Sequence, residues 1–340
     1  MPASDALAMQ AQLRQELDGS VYERFMAEMV PSMQRCDVGN PIIPASWDTE
    51  RVMRDLRLWT EAARTYYVGP DMMRLAVGAM EQLPEDAVVR KESPMSPQGF
   101  LWLPSPLRII DLRGKLLAVN AVLWSVFGGG VVVWLMADKY DPLNAAWAEG
   151  KGWDKQASAV LPRLTPWHMV TIRFGEPLPR TLQMRGQRPI PPEVEVTVTQ
   201  DGDSVTWMIA DDGMTADDLH PEYRPATEAL FLTVVWRLMR QTIVELRPER
   251  PDKRSRRLAE KHLRGDRHVT VIELRSREYH GHGERTWVLD HRILVDGYYR
   301  RQWYGSGDER WWDYIYIHPH LRGPDDTPLV VTDKIRALVR

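Results

Sequence analysis

Cysteine is almost absent from this chain: Cys36 is the single thiol in 340 residues. An internal disulfide is therefore impossible, and zinc ribbons, iron–sulfur clusters and secreted disulfide scaffolds are excluded with it. A reducing, cytoplasmic setting is the expectation. The N-terminus (MPASDALAMQAQLRQELDG) has no basic start followed by an apolar core, so secretion is not signalled. A P-loop, a dinucleotide fingerprint and a nucleophile elbow are all missing. So are internal repeats and low-complexity tracts. Disorder is excluded by what is present: 44% of the residues are hydrophobic, enough for two domains or one large one with ample core.

Charge is split along the chain. Residues 1–239 carry 23 Lys+Arg against 31 Asp+Glu, a net of −8, whereas 240–340 carry 21 against 16, a net of +5. Either the basic part meets phosphate or an acidic partner, or the halves attract each other. The excess of +5 is far below that of a dedicated nucleic-acid domain.

The pattern predicts an α+β fold in four parts. Residues 1–92 read helical, with apolar residues at three- and four-residue steps from Ala6 to Met33, limited by Pro31. Ser46 is the expected N-cap of a second helix through Tyr66, and Asp71 opens a third that ends near Leu83 and Pro84. Residues 93–246 form an α+β core with a central, mostly antiparallel sheet and a packed apolar helix over Ala226 to Leu246. Residues 247–267 are a basic connector, and 268–340 a small β-rich module that is both basic and aromatic.

The run Leu116 to Met136 is long enough to span a bilayer. Gly128, Gly129 and Gly130 at its middle, and its β-branched flanks, favour a buried hairpin instead, because strands covered on both faces read as continuous apolar runs. A second hairpin turns at Asp201 and Gly202. Further strands are expected at Pro166 to Phe174, Val269 to Leu274, Tyr298 to Tyr304 and Trp312 to Ile317. No membrane contact is expected.

Seven of the nine histidines follow residue 260, and the pairs His280/His282 and His318/His320 have a spacing that puts two imidazoles on one side of an extended segment. No metal-ligand signature is matched, and no metal or cofactor is assigned. Asp211, Asp212, Asp217 and Asp218 read as a hydrated loop at a strand end.

The strongest local signal is HRILVDGYYRRQWYGSGDERWWDYIYIHPHLRG, His291 to Gly323. Arginines alternate here with tyrosines and tryptophans on apparent strands. Guanidinium groups bind carboxylates or phosphates bidentately, and aromatic faces stack on bases or grip peptide side chains. The plainer reading is a core of alternate aromatics with solvated arginines. Strand pleat puts Tyr299, Arg301 and Trp303 on one face and Tyr298, Arg300, Gln302 and Tyr304 on the other. A basic residue on both faces implies that at least one face is open. The candidate binding residues are Arg292, Tyr299, Arg300, Arg301, Trp303, Tyr304, Arg310 and Arg322. No catalytic residue is assigned.

Gly297 to Gly307 (GYYRRQWYGSG) is similar to the Gly-His-Trp-rich signature, ending in Gly-x-Gly, near the C-terminus of the type V-A anti-CRISPR proteins that suppress synthesis of their effector nuclease. Relatives of that family occur in phages, plasmids and actinobacterial genomes. The order of parts is similar too: helices to Leu83 and Pro84, sheet segments, an apolar helix near Ala229 to Glu245, then a basic connector. The resemblance implies an inhibitor of mobile-element type. Such a protein recognises the nascent N-terminal peptide of its target during translation and promotes loss of the encoding mRNA; a nuclease activity of its own is not implied. Its partners would be the nascent polypeptide of a target protein, with mRNA or the ribosome as further contacts. The signature's His is Tyr298 here and its following Trp is Tyr299, so only a stacking or packing role carries over to those positions. Two alternatives stand beside this reading: a metal-dependent nuclease or RNA-processing enzyme using the C-terminal histidines, and a structural or interaction protein without nucleic-acid contact.

Overall fold

The computed structural model describes residues 3–35, 47–110, 116–145, 162–178, 181–183, 196–201, 204–209, 223–225, 227–265, 267–275, 292–307, 310–322 and 329–330. The fold is α+β. Two helices, α1 (Ser4–Glu16) and α2 (Ser20–Arg35), occupy the first segment, with Pro31 inside α2 where it was expected to limit a single long helix. The chain turns between them at Leu17 to Gly19.

Helix α3 (Thr49–Ala62) starts one residue after Asp48, whose carboxylate accepts the Arg51 amide at 2.8 Å. This side-chain cap satisfies a backbone donor that the first turn cannot. The expected helix through Tyr66 stops short. At Ala63 the backbone turns extended and strand β1 (Arg64–Val68) begins at once. Its β-branched and aromatic residues favour a pleated, buried position over a further helical turn. Helix α4 (Pro70–Glu81) follows with proline in its first turn, where no amide hydrogen is missed.

Strands β2 (Gln98–Ile110), β3 (Leu116–Phe127), β4 (Gly130–Asp138) and β5 (Leu164–Arg173) form an antiparallel meander. The register of β2 against β3 shifts between Trp102 and Leu107, a stretch that holds Pro104 and Pro106, which cannot donate to a ladder. The apolar run expected to be a buried hairpin is β3–β4, turning at Gly128 and Gly129, and every residue of β4 is buried. Beyond it lie the short strands β6 (Thr181–Gln183), β7 (Val196–Asp201), β8 (Ser204–Ile209) and β9 (Tyr223–Pro225), with β7 and β8 pairing as the expected second hairpin. The acidic cluster Asp211 to Asp218 lies outside the described residues.

The apolar helix is α5 (Thr227–Met239), shorter than expected, because the chain turns at Arg240 to Ile243 and continues as strand β10 (Val244–Glu249). The basic connector is largely ordered structure: the end of β10 and helix α6 (Lys253–His262), capped by Asp252. Strand β11 (Val269–Leu274) then pairs parallel with β1 and antiparallel with β10. It belongs to the large sheet and not to the C-terminal module with which its sequence position groups it. The sheet order is β10-β11-β1-β2-β3-β4-β5, antiparallel except at β11-β1 and β1-β2.

Both faces of this sheet are covered. On one, Val131, Val133 and Leu135 of β4 join α4 and α5 in a single apolar cluster. On the other, Val132, Trp134 and Met136 join α1, α2, α3 and α6. Burial on alternate sides explains the unbroken apolar run of β3 and β4. Among the described residues, no helix is long and apolar enough to cross a membrane.

The C-terminal strands are β12 (Arg292–Val295), β13 (Tyr298–Tyr304), β14 (Trp311–Ile317), β15 (His320–Arg322) and β16 (Leu329–Val330). Strands β12, β15 and β16 form one small sheet, and β13 and β14 a separate antiparallel hairpin.

Candidate hairpin and cleft

The β13–β14 hairpin pairs Tyr299 with Tyr316, Arg301 with Tyr314, Trp303 with Trp312 and Tyr304 with Trp311. Its loop holds Gly305 and Gly307 at φ 73° and 58°, a left-handed conformation that residues with a Cβ resist. One pleat face of the hairpin, carrying Tyr299, Tyr314, Tyr316 and Trp312, packs into the apolar cluster of α4 and α5. Tyr314 and Tyr316 are buried there.

The outer edge of β14 is held by side chains that take the place of a neighbouring strand. Arg90 Nη2 donates to Trp312 O at 2.9 Å and Arg237 Nη1 to Tyr314 O at 3.2 Å. The Gln241 carboxamide donates to Tyr316 O at 2.8 Å and accepts from Tyr316 N at 3.0 Å. Three alternate residues of the strand thereby find partners that a free edge would leave to water. Arg237 is the centre of this seam. Its side chain is 5% exposed, pairs with Asp313, and donates through Nη2 to Val88 O at 2.7 Å.

A second clamp lies on the same pleat face as Tyr299 and Tyr316. Tyr314 donates its hydroxyl hydrogen to Asp86 at 2.7 Å, and Arg301 reaches both groups at 3.4 Å. The hydrogen bond from Tyr314 pulls the Asp86 carboxyl below its ordinary range. Burial, then the Asp86 bond, pushes the Tyr314 phenol above its own. Neither group is thereby poised near neutrality, where acid–base catalysis needs it. The three residues read as a clamp.

At the hairpin tip the rings are exposed. Trp303, Tyr304 and Trp311 are 49%, 38% and 42% accessible there, and with Tyr298, 44% accessible at the opposite end of β13, they make up four of the nine exposed large hydrophobics among the described residues. Scattered apolar side chains are ordinary on a surface, but this concentration on one hairpin marks a contact patch. Guanidinium groups cover it: Arg310 lies 4.5 Å from the centre of Trp303, Arg301 4.6 Å from Trp312 and Arg90 5.1 Å from Trp311. Such pairing holds ring and cation ready without much loss of freedom on binding. Tyr304 and Trp311 are themselves stacked, 4.5 Å apart and 21° from parallel.

Behind the tip opens a cleft of about 670 Å³ between β14, the end of α5 and the segment 90–93. Tyr304, Trp311 and Ile315 supply apolar wall, and Arg90, Arg240 and Glu92 supply charge of both signs. Its size and mixed lining suit one or two side chains of a guest.

Of the eight residues singled out from the sequence, Tyr299, Arg300, Arg301, Trp303, Tyr304 and Arg310 share this hairpin. Trp303, Tyr304 and Arg310 are exposed at its tip, as is Arg300 on β13, where it donates to the Gln302 side chain. Tyr299 is half-buried against the core, which makes it a packing residue, and Arg301 is committed to Asp86 and Tyr314. Arg292 and Arg322 lie on β12 and β15, in the separate small sheet. Trp311, Arg90 and Arg240 were missed. Trp311 carried a visible signal, its place in the same aromatic run, whereas Arg90 and Arg240 come from distant segments.

His318 and His320 do approach, with ring centres 6.2 Å apart, yet among the described residues no three His, Cys, Asp or Glu side chains gather as a metal site. His280, His282 and His291 lie outside the described residues. No family model matches the chain, and no curated protein matches it.

Proposed function

We propose that this chain is a peptide-binding inhibitor of mobile-element type, whose hairpin tip and adjoining cleft grip an extended polypeptide such as a nascent chain on the ribosome. The observation that carries the reading is the group of three exposed rings at the tip, Trp303, Tyr304 and Trp311, flanked by stacked guanidinium groups and by a cleft of both signs. Polypeptides present apolar, acidic and basic side chains together, which suits Arg240 beside Glu92. A phosphate backbone would meet repulsion from Glu92 at the same place. That engagement leads to loss of the target's mRNA rests on the likeness of Gly297 to Gly307 to the anti-CRISPR signature.

The test is selective ribosome profiling of the wild-type chain and of a Trp303→Ala/Trp311→Ala variant. Both rings are exposed, so the variant keeps its fold. The expected result is enrichment of wild type on ribosomes translating a particular reading frame, with a fall in that transcript, and loss of both in the variant. Equal recovery of wild type and variant, or no ribosome association at all, would refute the reading.

A further inference from the structure

We propose a second interaction surface: the outer face of helix α6 binds a nucleic-acid strand through its phosphates. The surface lies across the sheet from the hairpin, since α6 packs with α1 on one face while α5 and the hairpin pack on the other. It does not rest on the peptide-binding reading.

Three observations support it. First, Lys253, Arg254, Arg256, Arg257 and Lys261 are all exposed, and among the described residues none has an acidic partner within ion-pair distance. Their situation is unlike that of the other arginines on this side of the sheet. Arg14 and Arg57 pair with Asp18, Arg51 and Arg54 with Asp55, Arg264 with Glu61 and Arg267 with Glu260. Those pairs occupy the nearby acids, Glu260 of α6 among them, and Asp252 is spent on capping the helix, which leaves the five cations in excess.

Second, the placement works against the helix. Lys253 and Arg254 sit in its first turn, where the helix dipole favours anions, and that turn holds no acidic residue. Lys253, Arg257 and Lys261 also follow at four-residue steps, so like charges line up about 6 Å apart along the axis. A stripe that opposes local stability is best accounted for by a partner that neutralises it.

Third, the partner's chemistry is narrowed by what surrounds the stripe. The apolar side of α6, with Ala259 and Leu258, is spent on the core, so no apolar face remains to enter a membrane. No Phe, Tyr or Trp lies within Lys253–His262 to stack on bases, and His262 is half-buried. Regularly spaced cations, with one acid already paired to Arg267, match a run of phosphates and carry no base readout.

The probe is a labelled single-stranded RNA of mixed sequence, about 20 nucleotides long, titrated with the full chain across about 50 to 200 mM salt. At roughly 0.7 per neutralised phosphate on a single strand, a Lys253→Gln/Arg257→Gln/Lys261→Gln variant should flatten the slope of log K against log salt by about 2. Affinity at the low-salt end should fall about tenfold or more. Removing like charges at four-residue steps leaves thermal stability unchanged or raised, which confirms that the variant is folded. The Trp303→Ala/Trp311→Ala variant should bind the RNA as wild type does, so the two surfaces can fail independently. An unchanged slope in the glutamine variant would overturn the proposal. So would wild-type binding to polyglutamate of equal length, or to phosphatidylserine vesicles, that matches or exceeds binding to the RNA.

Discussion

Replacing Arg237 with methionine should undock the hairpin while leaving the large sheet folded. The guanidinium is 5% exposed and joins three segments: it pairs with Asp313 and donates to Tyr314 O and Val88 O. Methionine fills similar space without any donor. Removing one partner of a buried ion pair costs about 3 to 5 kcal/mol, mostly because the remaining charge is stranded. Asp313 is 22% exposed at its side chain and can turn partly to water, which places the expected loss near the lower bound, about 3 kcal/mol.

The assay is urea unfolding, combined with hydrogen exchange over Tyr298–Tyr304 and Trp311–Ile317. Protection should fall there first, with β3 and β4 keeping theirs. A companion variant, Arg237→Met/Asp313→Leu, should recover part of the loss, since an apolar pair no longer strands a charge. A loss below about 1 kcal/mol in the single variant, the size of one ordinary neutral hydrogen bond, would refute the idea that this ion pair anchors the hairpin.

Two further outcomes follow from the packing. A Cβ added at Gly130 would lie 2.2 Å from Ile172 O, a backbone atom of the adjacent strand that has no rotamer to change, so Gly130→Ala should lower stability by about 3 kcal/mol in urea unfolding. On the other side of the sheet, burial first, and then Lys261 and Arg14, hold the His262 imidazole below its ordinary 6.5. The neutral ring is thus favoured by the fold, and its contribution is complete above pH 6.5 and lost as pH falls through the lowered value. A urea midpoint that declines below pH 6.5 in wild type should decline less in His262→Leu, and parallel curves would contradict this assignment.

The parts of this fold that could be read from sequence are those whose cause is local. Gly128 to Gly130 between two β-branched runs announce the β3–β4 hairpin, and alternation from Tyr298 to Tyr304 announces β13. Strand β1 left no such mark. It follows α3 without a Gly or Pro break, its five residues, four of them β-favouring, are too few to show a period, and its neighbours β2 and β11 begin about 30 and 200 residues away, so the parallel pairing that completes it is not visible locally. The boundary drawn at 268 failed for the same reason, because β11 is claimed by the large sheet. At the hairpin, the rings and Arg310 were visible as a run. Arg90 and Arg237 were not, since what assigns them to the site is the β14 backbone, more than 70 residues distant from either.

The sheet also separates the two proposed surfaces, which differ in character. Its two cores are separate, and each interaction surface is fixed to the helices of its own side: the hairpin to α5 through Arg237 and Gln241, and α6 to α1 through Ala259 and Leu263. Charge follows the same division. At the cleft, Arg90 and Arg240 are accompanied by Glu92, and Asp313 is bound to Arg237, so the site is nearly balanced and built around rings. On α6 five exposed cations stand against the single acid Glu260, which faces Arg267, with no Phe, Tyr or Trp among them. A guest chosen by aromatic contact is weakly sensitive to salt, whereas one held by phosphates is strongly so. Raising the salt should therefore release a nucleic-acid strand from α6 while a peptide at the hairpin stays bound. That separation is expected only if the two surfaces act through the different forces their residues provide.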